Sequence, residues 1–175
     1  RPKVTPVVAQ YAFLVDKSSV VQRVHVDGQP VEFQPPRVTF EWVATAQSMP
    51  NFEISGADFV QVPLIKIAVA RSGDQGDAAN VGVMARRPEW FDLLRACVTV
   101  DSVARWFSQY VEGTVSGYQA RGFGALNFVL TQSLGGGGTS SLHLDKQAKS
   151  YGQLILAMPV SVPRSMLAEI TADRE

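Results

Sequence analysis

The stretch 64-LIKIAVARSGDQGDAANVGVMAR-86 contains two apolar runs on either side of a polar segment that is rich in glycine. Branched apolar residues alternate with lysine or alanine in the first run, 64-LIKIAVA-70, and this period of two predicts a partly buried strand. The second run, 80-NVGVMAR-86, predicts another strand by the same argument, and a helix capped by Asp77 is the alternative there. We interpret the residues between the two runs as a polar loop.

The sequence downstream of this stretch predicts further helices and strands. Pro88 at a first helical position, with Trp90, Leu93 and Leu94 at helical spacing, predicts a helix over 88–98. The other predicted elements are a helix capped by Asp101 or Thr99, a strand at about 114–121, a short helix at about 124–134 that ends at Gly135, and a hairpin in which 140-SSLHLD-145 pairs with 153-QLILAMPVSV-162.

The order of these elements predicts an α+β fold. Over 64–163 the order favours a two-layer sandwich, in which helices pack on one face of a mainly antiparallel sheet. Residues 1–63 are rich in proline and contain the strand-like runs 7-VVAQYAFLV-15 and 20-VVQRVHVDG-28, so we expect an extended or β-rich arm there. We interpret residues 164–175 as a C-terminal tail.

The composition favours a folded domain and argues against several classes of partner. Hydrophobic residues make up 46% of the 175 residues, enough to bury a core. Sixteen basic residues balance sixteen acidic ones, so we expect neither nucleic acid nor a membrane as a partner. No apolar run approaches the roughly 18 residues that cross a bilayer. We expect a cytoplasmic protein, and because the first residue is Arg1, we expect a processed product or a fragment.

The polar segment 71-RSGDQGDAAN-80 is the first candidate site. Asp74 and Asp77 could act as a general acid or base, or they could hold a hard cation such as magnesium or calcium. Arg71 could orient a substrate carboxylate or phosphate. The alternative is a connector in which the aspartates accept hydrogen bonds from nearby backbone amides. Spacing by itself does not separate these interpretations.

A second polar segment, 134-LGGGGTSSLHLD-145, has the same ambiguity. The backbone amides of consecutive glycines can hold an anion, and a flexible link between two elements explains the run about as well. His143 could act as an acid or base beside Asp74 or Asp77, whereas a histidine on a sheet surface is the commoner case. No cluster of cysteine and histidine has zinc-ligand spacing, and we predict no cofactor.

Together the two segments resemble a known family. The pattern 70-ARSGDQGDAANVGVMAR-86, followed by 124-GALNFVLTQSLGGGGTSSLHLDKQAKSYGQ-153, resembles the C-terminal domain of the acyclic terpene utilisation (AtuA-like) family. The likeness extends over more than half of the chain. The sequence departs from the family pattern at three positions, with Gln75 in place of lysine, His143 in place of arginine and Ala148 in place of glycine.

The resemblance implies a ferredoxin-like sandwich and a link to the catabolism of acyclic terpenes and related branched acyl compounds, as coenzyme A thioesters. It also implies attachment to a larger N-terminal domain, of which residues 1–63 would be the tail or a replacement. From the residue chemistry and the matching positions together, the candidate catalytic residues are Ser72, Asp74, Asp77 and His143. The candidate substrate-binding residues are Arg71, Asn80, Asn127, Gly135, Gly136 and Gly137.

We therefore expect an accessory or site-contributing domain of a protein that degrades acyclic terpenoid or branched acyl-CoA compounds. The sequence leaves open which reaction this is and whether the chain is itself an enzyme. The expected partners are the larger N-terminal family domain or a partner subunit, a second copy of the chain, and an acyl-CoA ligand. The alternatives are a non-catalytic assembly module and a small metal-binding protein.

Overall fold

The computed structural model describes Val4, Pro6 and residues 13–34 and 58–172, which belong to two compact units. Residues 13–34 belong to the smaller unit, Tyr11–Ala46. In it, strands β1 (Val24–Val26) and β2 (Gln29–Val31) form an antiparallel hairpin.

The turn of this hairpin is the Asp-Gly pair of the predicted arm. Asp27 and Gly28 have φ angles of 50° and 77°, the left-handed conformation that a two-residue hairpin turn favours. The strand predicted over 20–28 is therefore confirmed only for its last part. Residues 7–12 of the other predicted strand lie outside the described residues, and residues 13–15 are not in a strand.

The larger unit combines two antiparallel sheets with helices. The strands are β3 (Phe59–Pro63), β4 (Ala68–Gln75), β5 (Ala78–Ala85), β6 (Val115–Ala120), β7 (Ala125–Leu130) and β8 (Pro159–Pro163). The helices are α1 (Phe91–Cys97), α2 (Val100–Trp106), α3 (Tyr151–Leu156) and α4 (Leu167–Ala172). The main sheet has the order β4-β5-β7-β6, and β3 pairs with β8 in a second sheet. The predicted α+β class is confirmed.

One face of the main sheet packs against helices. Alternate residues of β5 and β7 are buried on this face, as expected for strands that are half covered. They are Ala79, Val81, Val83, Leu126, Phe128 and Leu130. Helix α3 contacts β4 and β5, and α2 contacts β6. The opposite face, called the open face below, carries half-buried and exposed residues, including Val69, Arg71, Gly73, Asn80, Gly82, Met84, Tyr118, Ala125 and Asn127.

The two predicted helices after β5 are confirmed. Pro88 opens a 3-10 turn that leads into α1, in which Leu93 and Leu94 are buried. Thr99, not Asp101, caps α2, because its side chain accepts a hydrogen bond from the amide of Ser102 while the Ser102 hydroxyl accepts one from the amide of Thr99. The strand predicted at about 114–121 is confirmed as β6.

The short helix predicted at about 124–134 is wrong, because this segment contains strand β7. The three- and four-residue spacing of Leu126, Val129, Leu130 and Leu134 suggested a helix. However, Leu126, Phe128 and Leu130 also alternate, as strand residues do. Hydrogen bonding to β5 on one side and β6 on the other stabilises the strand. Gly135 does have a left-handed φ of 59°, but it does not end a helix.

The strand predicted at 64–70 begins later than expected. Leu64–Lys66 form a 3-10 turn, and Ile67 follows it directly. Leu64 and Ile67 are both buried, so the buried positions follow the three-residue period of the turn and not the two-residue period of a strand. The polar loop expected between the two apolar runs is also wrong. Strand β4 continues to Gln75, β5 begins at Ala78, and only two residues turn between them.

The predicted hairpin near the end of the chain is wrong as well. Residues 140–145 form turns, and Tyr151–Leu156 form helix α3 instead of a strand. The alternation of 153–162 runs without a break from the helix into β8, and only β8 is a strand. Its partner is β3, which lies far earlier in the chain.

The last described residues, 164–172, form a 3-10 turn and helix α4, in which Ile170 is buried. Among the described residues, no helix has the length and apolar character needed to cross a membrane.

Candidate functional site

The pairing of β4 with β5 separates the polar residues of the first candidate site onto two faces. Ser72 pairs with the buried Val81, and Asp74 pairs with the buried Ala79, so both lie on the side of the helices. Arg71 lies between them in alternation and faces the other way. The strand residues of the segment 71–80 thus form two groups on opposite faces of the sheet, which meet only around its edge.

On the open face, the candidate binding residues line up across neighbouring strands. Arg71 of β4 pairs with Gly82 of β5, and Gly82 pairs with Asn127 of β7. Asn80 pairs with Gly73 two residues further along the same strands, on the same face. Because glycine has no side chain, the space between Arg71 and Asn127 has a backbone floor.

A cavity of about 420 Å³ opens at this edge of the sheet. It is lined by Arg71, Ser72, Gly73, Asp74, Gln75, Asn80, Gly82 and Lys149. A Cβ placed on Gly73 would lie 3.4 Å from the Nζ of Lys149, so the lysine reaches the open face over strand β4. Among the residues that line the cavity, two side chains carry a positive charge and one, Asp74, carries a negative charge.

Lys149 lies in a loop that Asp145 organises. The Asp145 carboxylate accepts hydrogen bonds from the amides of Lys149 at 2.9 Å and Ser150 at 2.6 Å, and from the Ser150 hydroxyl at 2.5 Å. Burial alone would raise the pKa of Asp145, but hydrogen bonds from Ser150, Lys149 and Gln147 outweigh it and lower the pKa. The loop therefore presents Lys149 on a preformed backbone.

Ser72 connects the edge strand to the start of α3. Its hydroxyl donates to the carbonyl of Ala148 at 2.5 Å and accepts from the amide of Gly152 at 2.7 Å. A Cβ on Gly152 would lie 3.3 Å from the Cα of Arg71, so helix and strand approach closely at this point. The hydroxyl proton is used in this contact, and a catalytic role for Ser72 stays a prediction.

The two candidate segments are in contact, through Asp77 and the glycine run. The Asp77 carboxylate accepts hydrogen bonds from the amides of Gly136 at 2.8 Å and Leu134 at 3.2 Å. The Asp77 carbonyl accepts a third, from the amide of Ser133. The predicted ability of the glycine amides to hold an anion is thus used by the protein's own carboxylate.

Gly137 allows the glycine run to approach the β4–β5 turn because it has no side chain. A Cβ on Gly137 would lie 1.9 Å from the carbonyl oxygen of Gly76, which is closer than any real Cβ contact. Its φ of 64° is also one that glycine favours. Gly135 lies beside the ring of His143, with 3.2 Å between a Cβ placed there and Nε2.

His143 and Asp74 are not joined in the structure. The His143 side chain is exposed and makes no hydrogen bond to Asp74 or Asp77. The Asp74 carboxylate accepts no hydrogen bond from the described residues. Within those residues, no three His, Cys, Asp or Glu side chains converge as metal ligands.

The thiol of Cys97 is held in a structural contact. Burial raises the pKa of Cys97 to about 11, and its thiol donates a hydrogen bond to the carbonyl of Ser161.

Three residues of the cavity region were missed by the sequence reasoning. Lys149 is the last residue of 145-DKQAK-149, a segment that already matched the family pattern, so the motif itself contained a signal. Asp145 is the last residue of the second polar segment, and it was assigned no role from the sequence. Gly82 carries no local signal, because its importance lies in the strand pairing that puts it between Arg71 and Asn127.

Comparison with known proteins agrees with the fold and the motifs. Neither a search of curated proteins nor a search of solved structures found a match. A scan of protein families matches residues 62–161, more than half of the chain, to the AtuA ferredoxin-like domain. That span contains β4 to β7 with the cavity, the glycine run and Lys149. The chain belongs to the family of AtuA ferredoxin-like domains.

Proposed function

We propose that this domain provides an anion-binding site to a protein that degrades acyclic terpenoid or branched acyl-CoA compounds. Family membership supports a role related to acyclic terpene utilisation. The observation that carries the proposal is the cavity at the edge of the main sheet, where Arg71 and Lys149 converge over a glycine floor. A planar guanidinium and an ammonium are the groups that proteins use to bind carboxylate or phosphate.

The neutral polar residues in and beside the cavity suit the same ligand. Gln75 and Asn80 line the cavity, and Asn127 lies next to it, paired with Gly82 on the open face. Their amide nitrogens can donate hydrogen bonds. Hydrogen bonds to a charged acceptor are stronger than those between neutral groups. Amides beside two cations therefore favour an anionic head group, such as a carboxylate or a phosphate of coenzyme A.

Asp74 is the candidate for proton transfer in this site. Its carboxylate lines the cavity and accepts no hydrogen bond from the described residues, so it is free to interact with a ligand. Asp77 differs, because its carboxylate is engaged by the glycine run. We assign the acid or base role to Asp74 and a positioning role to Asp77.

Calorimetric titration with coenzyme A and with 3-methylbutanoyl-coenzyme A tests the anion site. Arg71→Gln and Lys149→Gln should each weaken binding about tenfold, since each removes a charge-assisted hydrogen bond. Arg105→Gln is the matched control, because Arg105 is an exposed cation on α2 and makes no side-chain hydrogen bond to the described residues. Binding that also weakens as salt is raised would agree with an anion site. No binding at millimolar ligand, or an equal loss with Arg105→Gln, would overturn the proposal.

Asp74→Asn tests the assigned acid or base in the complete protein that carries the domain. We expect turnover to fall about a hundredfold, the scale of general acid-base catalysis, without weaker anion binding. Glu112→Gln, at an exposed position on another part of the fold, should change neither. Full turnover by Asp74→Asn would remove Asp74 from the mechanism.

A non-catalytic assembly module is the second candidate function. The observation in its favour is a pair of leucines, Leu142 and Leu144, which are fully exposed at 99% and 107% of their reference areas. Their loop is anchored, because the amides of Ser140 and Ser141 donate to the carbonyl of Gly137. Light scattering after size exclusion should then show an oligomer that Leu142→Ser with Leu144→Ser dissociates, whereas a monomer at all concentrations would exclude self-association.

A further inference from the structure

The open face changes from polar to apolar along its strands. The row nearest the hairpin turn contains Gly73 and Asn80, and the next contains Arg71, Gly82 and Asn127. One further step along the strands, Val69 pairs with Met84, and Met84 pairs with Ala125. Met84 is 44% exposed on this face.

The two kinds of surface are close enough for one small molecule to contact both. Residues two apart on a strand lie roughly 6.5–7 Å from each other on the same face. An extended chain of about five or six carbons covers that distance. A ligand whose head group lies between Arg71 and Lys149 would therefore place its chain over Gly82 and against Met84 and Val69.

The residues along this path include a glycine and an alanine, and their lack of bulky side chains leaves room for branches on the ligand's chain. At Gly82 the nearest atom to an added Cβ is the carbonyl oxygen of Arg71, at 3.7 Å, which is ordinary contact. Ala125 has only a methyl group beside Met84. A methyl group at Gly82 would thus lie between Arg71 and Asn127 with only an ordinary van der Waals contact to the protein.

We propose that the open face binds an amphipathic ligand, a branched short-chain carboxylate or its thioester. Its anionic head interacts with Arg71 and Lys149, and its hydrocarbon part lies over Gly82 against Val69 and Met84. Charge complementarity selects the head group, and the apolar row beyond it selects the chain. This inference rests on the proposed anion site and adds the orientation and the hydrocarbon character of what it holds.

Nuclear magnetic resonance titration of the full chain with acetate, butanoate, hexanoate and 3-methylbutanoate tests the orientation. We expect the affinity to rise about two- to fourfold for each added methylene, since burying one is worth up to about 0.8 kcal/mol. Shifts of the amide signals should extend from Arg71 toward Met84 as the chain lengthens. Acetate should show the signals near Arg71 and Lys149 only.

Gly82→Val and Met84→Ser distinguish the proposed hydrocarbon path, over Gly82 and against Met84, from the anion site. Valine suits a strand, so the fold should persist, and hexanoate binding should fall about tenfold, further than acetate binding, because the valine occupies the path of the chain. Met84→Ser should remove the dependence on chain length, and Phe59→Ser, at an exposed phenylalanine of the other sheet, should preserve it. If Gly82→Val fails to fold, Met84→Ser alone decides. Carboxylates that bind equally at every chain length would overturn this inference and leave the anion site standing, whereas no carboxylate binding, including acetate, would overturn both.

Discussion

At the residue scale, Asp74 and Asp77 have different roles although they are three positions apart. Asp77 lies in the turn of the β4–β5 hairpin. Its carboxylate accepts hydrogen bonds from two backbone amides of the glycine-rich segment, those of Leu134 and Gly136. Asp74 belongs to the end of β4, and its carboxylate accepts no hydrogen bond from the described residues. The sequence motif identifies both residues, but only their neighbours show which one is available to a ligand.

This difference predicts unequal effects on stability. Asp77→Ala leaves two amides without their acceptor and should lower the free energy of unfolding by about 1–3 kcal/mol. Asp74→Ala should change it by no more than about 0.5 kcal/mol, because no hydrogen bond is lost. Urea denaturation of the two variants measures both values, and equal losses would contradict the structure.

A second prediction at this scale compares two glycines with the same backbone conformation. Gly76 and Gly137 have φ angles of 65° and 64°, but only Gly137 would place a Cβ against backbone, 1.9 Å from the Gly76 carbonyl oxygen. Gly76→Ala should cost about 1 kcal/mol for the left-handed conformation. Gly137→Ala should cost roughly 1–3 kcal/mol more, because the turn and the glycine run must separate. Chemical denaturation gives the difference, and a difference near zero would show that the two segments do not touch.

At the element scale, helix α3 is held to the sheet by polar contacts as well as by apolar packing. The Tyr151 hydroxyl donates to the buried carbonyl of Ser133 at 2.8 Å, and the Ser133 hydroxyl donates to the carbonyl of Leu130. Burial, with the charge of Asp145 nearby, raises the pKa of Tyr151 to about 12. The tyrosine therefore stays protonated and continues to donate over the physiological pH range.

Removing this hydroxyl should loosen the attachment of α3. Tyr151→Phe leaves the Ser133 carbonyl without its donor and should cost about 1–2 kcal/mol of unfolding free energy. Tyr110→Phe is the matched control, because Tyr110 is 43% exposed and its hydroxyl has no partner among the described residues. Thermal and urea unfolding of both variants should show a loss for Tyr151→Phe alone.

The loop before α3 should add a pH dependence. The pKa of Asp145 is lowered in the folded protein from its ordinary 3.8, so its contribution to stability is complete above about pH 4 and is lost as the pH falls through the folded value. Asp145→Asn should lower the melting temperature at neutral pH and make its decline below about pH 4 shallower. Asp101→Asn, at an exposed position, serves as the control. Parallel declines of the wild-type and Asp145→Asn melting temperatures would contradict this assignment.

At the scale of the whole molecule, residues before the family motif help to build the domain core. Val60 and Val62 of β3 pair with Val162 and Val160 of β8 and pack against the buried cluster. Gln61 lies between them, is exposed, and bonds to Ser161. The second sheet therefore joins two segments that are about a hundred residues apart in the chain.

This pairing predicts that a charge is tolerated on one face of β3 and not on the other. Val62→Asp should destabilise the domain by about 2 kcal/mol or more, since an unpaired carboxylate would enter apolar surroundings. Gln61→Asp, one position away on the exposed side, should cost about 1 kcal/mol or less. Urea unfolding followed by tryptophan fluorescence compares them, and similar losses would show that β3 does not cover the core.

Much of the fold could be predicted because it depends on local patterns. Strand β5, helices α1 and α2 and strand β6 follow from alternation, a proline at a helix start and a capping threonine. Strand β7 and helix α3 were exchanged in the prediction, since 125–130 and 151–156 each fit both periods. Pairing of 125–130 with β5 on one side and β6 on the other makes that segment a strand. In the helix 151–156, Gly152 packs against the backbone of Arg71.

The sequence by itself determined the residue types of the candidate site and linked its two segments, because both lie in long motifs that match one family. Only the tertiary structure decided on which face each residue acts. Alternation along β4 sends Ser72 and Asp74 toward the helices and Arg71 toward the open face. The loop held by Asp145 brings Lys149 over the strand edge into the cavity that Arg71 also lines. Such neighbours depend on strand register and helix packing, which connect residues that are distant in sequence.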